Sequence, residues 1–258
     1  MEKQTVRIRD MRIGEGRPKI CVPLVASDEA GLEAALERLA GVPYDLVEWR
    51  ADFYREVREP EAMRKALEKI RRRIGEKPLL FTFRTAQEGG NSSIDPESYA
   101  ELNERAAAGG LADLVDVEIN RGEEFAARLT ETIQRKNCRV LGSFHDFNGT
   151  PEAARMTAVL CRMQELGMDI TKLAVTPKNR EDVLELLRAA VRMEEELGDR
   201  PCVTMSMGRL GVISRMIGNF SGSAITFGTA GSASAPGQIP AGKLDQVLRI
   251  LSESIEEK

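Results

Sequence analysis

A chain of 258 residues with 42% hydrophobic content can bury a full core, and an α/β barrel of this size is commonly one domain, here expected over 1–258. The formal net charge of -4, with no Lys or Arg run longer than Arg71 to Arg73, argues against a nucleic-acid surface. No window approaches the roughly 18 apolar residues of a membrane span, and the charged start from Glu2 carries no apolar signal core, so a cytoplasmic, membrane-free protein is expected.

The first segment, TVRIRDMRIGEG, alternates apolar and charged residues around Arg9 and Asp10, which predicts a small hairpin placed to close the bottom of a barrel. Eight strand-length apolar runs follow: Lys19 to Val25, Tyr44 to Arg50, Pro78 to Arg84, Ala112 to Ile119, Cys138 to Phe144, Asp169 to Val175, Pro201 to Met205 and Ser223 to Phe227. Helical segments separate them, with start signals at Ser27, at Asp95 with Pro96 and at Thr150 with Pro151, and with Gly41 and Gly109 as stops. Arg71 to Arg73 is expected to be a solvated helix terminus. With a last helix over Lys243 to Ile255, the count is that of a (β/α)8 barrel, a TIM barrel; a doubly wound open sheet is the alternative.

A barrel of this kind carries its chemistry at the C-terminal ends of the strands. The second run ends in Glu48, Trp49, Arg50, Ala51 and Asp52, with charges of one parity facing one way. The third delivers Arg84, then Glu88 before Gly89 and Gly90. The fourth puts Asp116 and Glu118 on one face, where burial would demand cations such as Arg50, Arg84 and Lys172. His145, the only histidine, ends the fifth run, and Lys172 stands inside the sixth between Ile170, Leu173 and Val175. A lysine there is either a stem that packs while its head reaches water, or a desolvated amine able to attack a ketone. The histidine is either a satisfied polar group or an acid/base catalyst.

Met205 and Met207 read as core filling or as an adaptable wall, Arg215 falls on a short helix, and Phe227 to Gln238 reads as a loop able to close over the site. No metal site is expected, because the chain has one histidine, and Cys21, Cys138, Cys161 and Cys202 are scattered as small buried thiols in a reducing compartment.

The motifs EWRADF, FTFRTAQEGG, SFHDFNGTP, KLAVTP, GVISR and SAPGQIP, in this order, resemble type I 3-dehydroquinate dehydratase over nearly the whole chain from Ile20. That resemblance implies a homodimeric barrel of the shikimate pathway of aromatic amino acid biosynthesis. Its reaction converts 3-dehydroquinate to 3-dehydroshikimate and water without metal or cofactor. Carried over, Lys172 would form the imine, His145 would move the proton, and Glu88 would orient His145. Arg215 would bind the substrate carboxylate, while Glu48, Arg50, Arg84, Ser234 and Gln238 would contact its hydroxyls and carboxylate region, with Ala235 also binding substrate. Met205, Met207 and Phe227 would form the apolar walls. Two departures are noted: Pro23 stands where some members have Ser, and Phe144 where Asn or Tyr is usual. A class I aldolase or a non-catalytic acid-binding barrel would each use Lys172 differently.

Overall fold

The computed structural model describes residues 3–231 and 234–256. A two-stranded antiparallel hairpin, β1 (Val6–Ile8) and β2 (Met11–Ile13), precedes eight parallel strands. These are β3 (Lys19–Leu24), β4 (Leu46–Arg50), β5 (Leu79–Thr82), β6 (Leu114–Glu118), β7 (Arg139–Asp146), β8 (Ile170–Val175), β9 (Cys202–Ser206) and β10 (Ile225–Phe227). They pair in chain order, with β10 returning to β3, as a (β/α)8 barrel requires. The Ala224 amide donates to the Cys202 carbonyl at 2.8 Å and closes the ring between β9 and β10.

Helices α1 (Glu29–Glu37), α2 (Pro60–Ile74), α3 (Pro96–Ala108), α4 (Glu123–Gln134), α5 (Ala153–Glu165) and α6 (Arg180–Arg192) wrap the sheet, and α9 (Ala241–Glu256) completes the circuit. Between β9 and β10 the expected single helix is two short pieces, α7 (Val212–Met216) and α8 (Gly218–Ser221). The break falls at Ile217, whose φ of -104° and ψ of 27° leave the helical region, and only glycine fits at position 218, where a Cβ would sit 2.7 Å from Pro18 and 2.8 Å from the Ser223 carbonyl oxygen. Among the described residues, no helix is long and apolar enough to cross a membrane.

Strand alternation sorts the barrel interior into layers. At the bottom Cys21, Leu46, Leu80, Leu114, Leu141, Ile170, Val203 and Ile225 form an apolar plug, and Val6, Ile8 and Ile13 of the hairpin pack under it, as expected. Two residues further along, the same inward face carries Pro23, Glu48, Thr82, Asp116, Ser143, Lys172, Met205 and Phe227, one from each strand. The apolar plug thus supports a polar floor, and period two alone puts the reactive groups on the same side as the core.

Several local expectations are corrected. Asp28, not Ser27, caps α1 by accepting the Gly31 amide at 2.9 Å, because its carboxylate reaches the third residue on. Helix α5 starts at Ala153 without help from Thr150, since Glu185 of α6 accepts the Ala153 amide at 2.7 Å. Asp95 caps α3 and Gly109 ends it as the C-cap residue, both as expected, with the left-handed turn one residue further on at Gly110. Helix α1 ends four residues before Gly41, which turns the following loop at φ +73°. The Arg71 to Arg73 triplet does close α2, with Arg72 and Arg73 exposed as expected, but Arg71 is half-buried: it donates to the carbonyls of Leu111, Gly75 and Lys77 and to Asp113, lashing α2 to the approach to β6.

Candidate active site

A concave cavity lined by both polar and apolar side chains opens at the C-terminal ends of the strands, as small-ligand sites do. From β4 and the turn after β5 it is lined by Glu48, Arg50, Arg84, Glu88 and Gly89. His145 and Phe147 reach it from β7 and beyond, and Lys172 and Ala174 from β8. Met205, Met207 and Phe227 form its apolar side, and Ser234, Ala235, Pro236 and Gln238 cover it. Lys172 and His145, separated by 27 positions in sequence, therefore face one space.

Lys172 is only 4% exposed. Its Nζ lies 3.8 Å from Asp116 Oδ2 and 4.5 Å from the centre of the Phe227 ring. Burial lowers its pKa, and Arg84 lowers it further, against the pull of Glu48 and Asp116. The result is an ammonium that gives up its proton more readily than a surface lysine.

His145 Nδ1 is 2.9 Å from Glu88 Oε2, which fixes the ring and leaves the other nitrogen free. Burial drives the His145 pKa well down, helped by Arg84, Lys172 and Arg50. The Glu88 carboxyl is pushed up, first by burial and then by Glu118 and Asp116, against the lowering effect of Arg84. Each group thus resists its charged form, and the two share protons as a pair. Glu88 owes its place to a tight turn: Gly89 takes φ +77°, and a Cβ on Gly90 would lie 1.8 Å from the Arg84 carbonyl oxygen.

Arg84 is the electrostatic centre of the floor. Its guanidinium donates to Asp116 at 2.6 Å, to Glu118 and Ser143 at 2.9 Å each, and to Glu88 at 3.4 Å. The expected need of Asp116 and Glu118 for cations is met mainly by Arg84. Tyr99 bolts α3 beneath them, its hydroxyl donating to the Asp116 carbonyl and accepting the Glu118 amide, each at 3.2 Å. Arg50 lies in a two-pronged pair with Asp52, at 2.8 and 2.9 Å, and donates to the Ser234 carbonyl at 3.3 Å. Glu48 accepts from Thr82 at 2.9 Å.

Arg215 is 1% exposed and sits one layer behind the cavity wall, not on it. Its Nη1 lies 3.7 Å from Met205 Sδ and its Nη2 donates to the Pro236 carbonyl at 3.1 Å. Burial alone pulls its pKa down to about 10, since no carboxylate partner stands beside it among the described residues. The covering loop is tied internally by Gln238, which donates to Ser234 Oγ at 3.0 Å and accepts the Ser234 amide at 2.9 Å. Residues 232 and 233 of the expected loop lie outside the described residues.

Gly89, Phe147, Ala174 and Pro236 line the cavity without having been singled out as site residues. Phe147 shares the parity of His145, a signal available in SFHDF. Its ring packs against Gly89, where a Cβ would approach to 2.3 Å.

A family model described as type I 3-dehydroquinase matches residues 20–255. The chain belongs to the type I 3-dehydroquinase family. The 3-dehydroquinate dehydratase of Clostridium kluyveri is 47% identical over 251 residues, covering 96% of this chain and 97% of that protein. A crystal structure of type I 3-dehydroquinate dehydratase from Clostridium difficile with covalently modified comenic acid superposes with a TM-score of 0.94 at 43% identity, covering 98% and 99% of the two chains. The 3-dehydroquinate dehydratase of Geobacillus kaustophilus gives the same TM-score at 36% identity, over 100% and 99%.

Proposed function

We propose that this protein dehydrates 3-dehydroquinate to 3-dehydroshikimate through an imine on Lys172, as a step of the shikimate pathway. The observation that carries this reading is the shared cavity, in which a buried amine with a lowered pKa faces a histidine held by a carboxylate. Membership of the family supports the reaction.

Neutral Lys172 Nζ attacks the substrate ketone carbon, and loss of water leaves a protonated imine. His145 takes a proton from the adjacent carbon. The electron pair of that C–H bond flows into the imine cation and gives a neutral enamine, so no free carbanion forms. The enamine pair then returns to expel the hydroxyl on the next carbon, which leaves as water with the proton His145 had taken. Hydrolysis of the imine releases product and restores Lys172. General acid/base catalysis typically contributes 10²–10⁴-fold, and the cationic imine supplies the electron sink.

Glu88 accepts from Nδ1 of His145 and keeps the second nitrogen unprotonated for its task as base. Arg215 is the buried cation for the substrate carboxylate, reached once Met205 or Pro236 gives way. Glu48, Arg50, Ser234, Ala235 and Gln238 contact the substrate's polar groups, with Met205, Met207 and Phe227 against its ring. Arg84, saturated by carboxylates, holds the charge of the floor and touches substrate with its edge. The same reading carries a homodimer in the cytoplasm; the unpaired cysteines Cys21, Cys138, Cys161 and Cys202 suit a reducing compartment, and sedimentation tests the dimer.

The test is turnover of 3-dehydroquinate by purified protein, followed as growth of the ultraviolet absorbance of the conjugated enone. Lys172→Ala and His145→Ala each abolish it in this account. Undiminished turnover by Lys172→Ala would overturn the mechanism.

A further inference from the structure

The floor beneath Lys172 contains a closed ring of three hydrogen bonds. Arg84 Nη2 donates to Asp116 Oδ2 at 2.6 Å, Ser143 Oγ donates to Asp116 Oδ1 at 2.6 Å, and Arg84 Nη1 donates to Ser143 Oγ at 2.9 Å. Ser143 is fully buried and is the register neighbour of Lys172 across β7 and β8. It is not among the residues that line the cavity.

We propose that Ser143 is a positioning residue whose hydroxyl sets the protonation of Lys172 by holding Asp116 and Arg84 as one partly neutralised unit. The inference rests on the imine-forming role given to Lys172 above. Asp116 stands 3.8 Å from Nζ and favours the ammonium, whereas Arg84 opposes it. The serine proton points at Asp116 and occupies the carboxylate oxygen that Arg84 does not reach. The one hydroxyl donates to the anion and accepts from the cation at once, which an alanine methyl cannot do. Without it Asp116 keeps its charge but loses a donor, so the potential at Nζ becomes more negative and the amine holds its proton to higher pH.

The other titratable groups facing Lys172 are Cys21 from β3, Glu48 from β4 and His145 from β7, with Arg84 arriving from beyond β5. The elements β9 and β10 present Met205 and Phe227, which are uncharged. None of these groups bonds to Ser143 except Arg84. Its removal therefore acts on Lys172 through the ring.

The experiment measures the initial rate of adduct formation between 3-dehydroquinate and the full protein in cyanoborohydride across pH, read by intact mass. Ser143→Ala is expected to move the midpoint alkaline by about half to one pH unit, which is roughly three- to tenfold slower trapping on the acid side. At high pH its rate rejoins that of the parent. Ser143→Thr, which keeps the hydroxyl, retains the parent midpoint. An unshifted midpoint in Ser143→Ala, or a rate lowered equally at every pH, overturns the proposal and leaves a structural role. If Ser143→Ala fails to fold, Ser143→Cys, whose thiol is a much weaker donor, takes its place, and its midpoint must also move alkaline. A midpoint that stays or moves acidic there also overturns the proposal. No adduct with the parent protein at any pH would instead defeat the functional reading on which the inference stands.

Discussion

Replacing Arg215 with methionine should make the protein more stable and a poorer catalyst. Burial holds the Arg215 guanidinium down to about 10, below the ordinary arginine value, without a carboxylate to compensate. At about 1.36 kcal/mol per pH unit, the charged side chain costs the fold about 3 kcal/mol. Because the folded-state value is the lower one, that cost applies at every pH below about 10 and fades only above it. The substitution also removes the bond to the Pro236 carbonyl, which returns about 1–2 kcal/mol of the gain. A net stabilisation of about 1–2 kcal/mol remains, or roughly 2–8 °C in Tm for a chain of this length. The same variant leaves a substrate carboxylate without its cation, a loss of about 2–5 kcal/mol, or some 30- to several-thousand-fold in kcat/KM. Calorimetry and steady-state kinetics on the two proteins read both effects. A variant that melts below the parent and keeps kcat/KM within about threefold would refute the assignment of Arg215 as a cation kept unpaired for the substrate.

Three other outcomes follow from the geometry. Burial opposes both charged forms of the Glu88 and His145 pair, so at acid pH the pair keeps a proton that blocks the base, and kcat should rise as pH increases; Glu88→Gln should move that acid limb to lower pH and lower the plateau, seen in a pH profile of kcat. Gly90→Ala, with its methyl forced within 1.8 Å of the Arg84 carbonyl oxygen, should cost about 1–3 kcal/mol in urea unfolding and lose more activity than that stability loss explains, because Glu88 moves with the turn. Arg71→Ala, which cuts the ties from α2 to Leu111 and Asp113, should lower Tm while leaving KM for 3-dehydroquinate unchanged, since the site lies at the opposite end of the strands.

What the sequence made readable was periodic or punctual. Eight apolar runs became eight strands, and parity carried Glu48, Asp116, Glu118 and Lys172 to the inside, because alternation is a local property of each strand. The ring of Arg84, Asp116 and Ser143 was not readable, since it depends on the stagger between three strands, which no single run records. The paired short helices α7 and α8 were hidden because the break at Ile217 carries no Gly or Pro of its own, and the close approach of Pro18 to Gly218 comes from 200 positions away. Arg71 read as solvated for the same reason: its acceptors on Leu111 and Asp113 are distant in the chain. Arg215 could be placed on a short helix, but its position behind Met205 and Pro236 came only with the folded loop.

The central claim is that one buried amine captures the substrate ketone. Reducing the protein with borohydride in the presence of 3-dehydroquinate, then locating the added mass by peptide sequencing, tests it most directly. The account predicts a single adduct on Lys172, present in His145→Ala and missing from Lys172→Ala. Full turnover with no adduct, or an adduct on any other lysine, would contradict it.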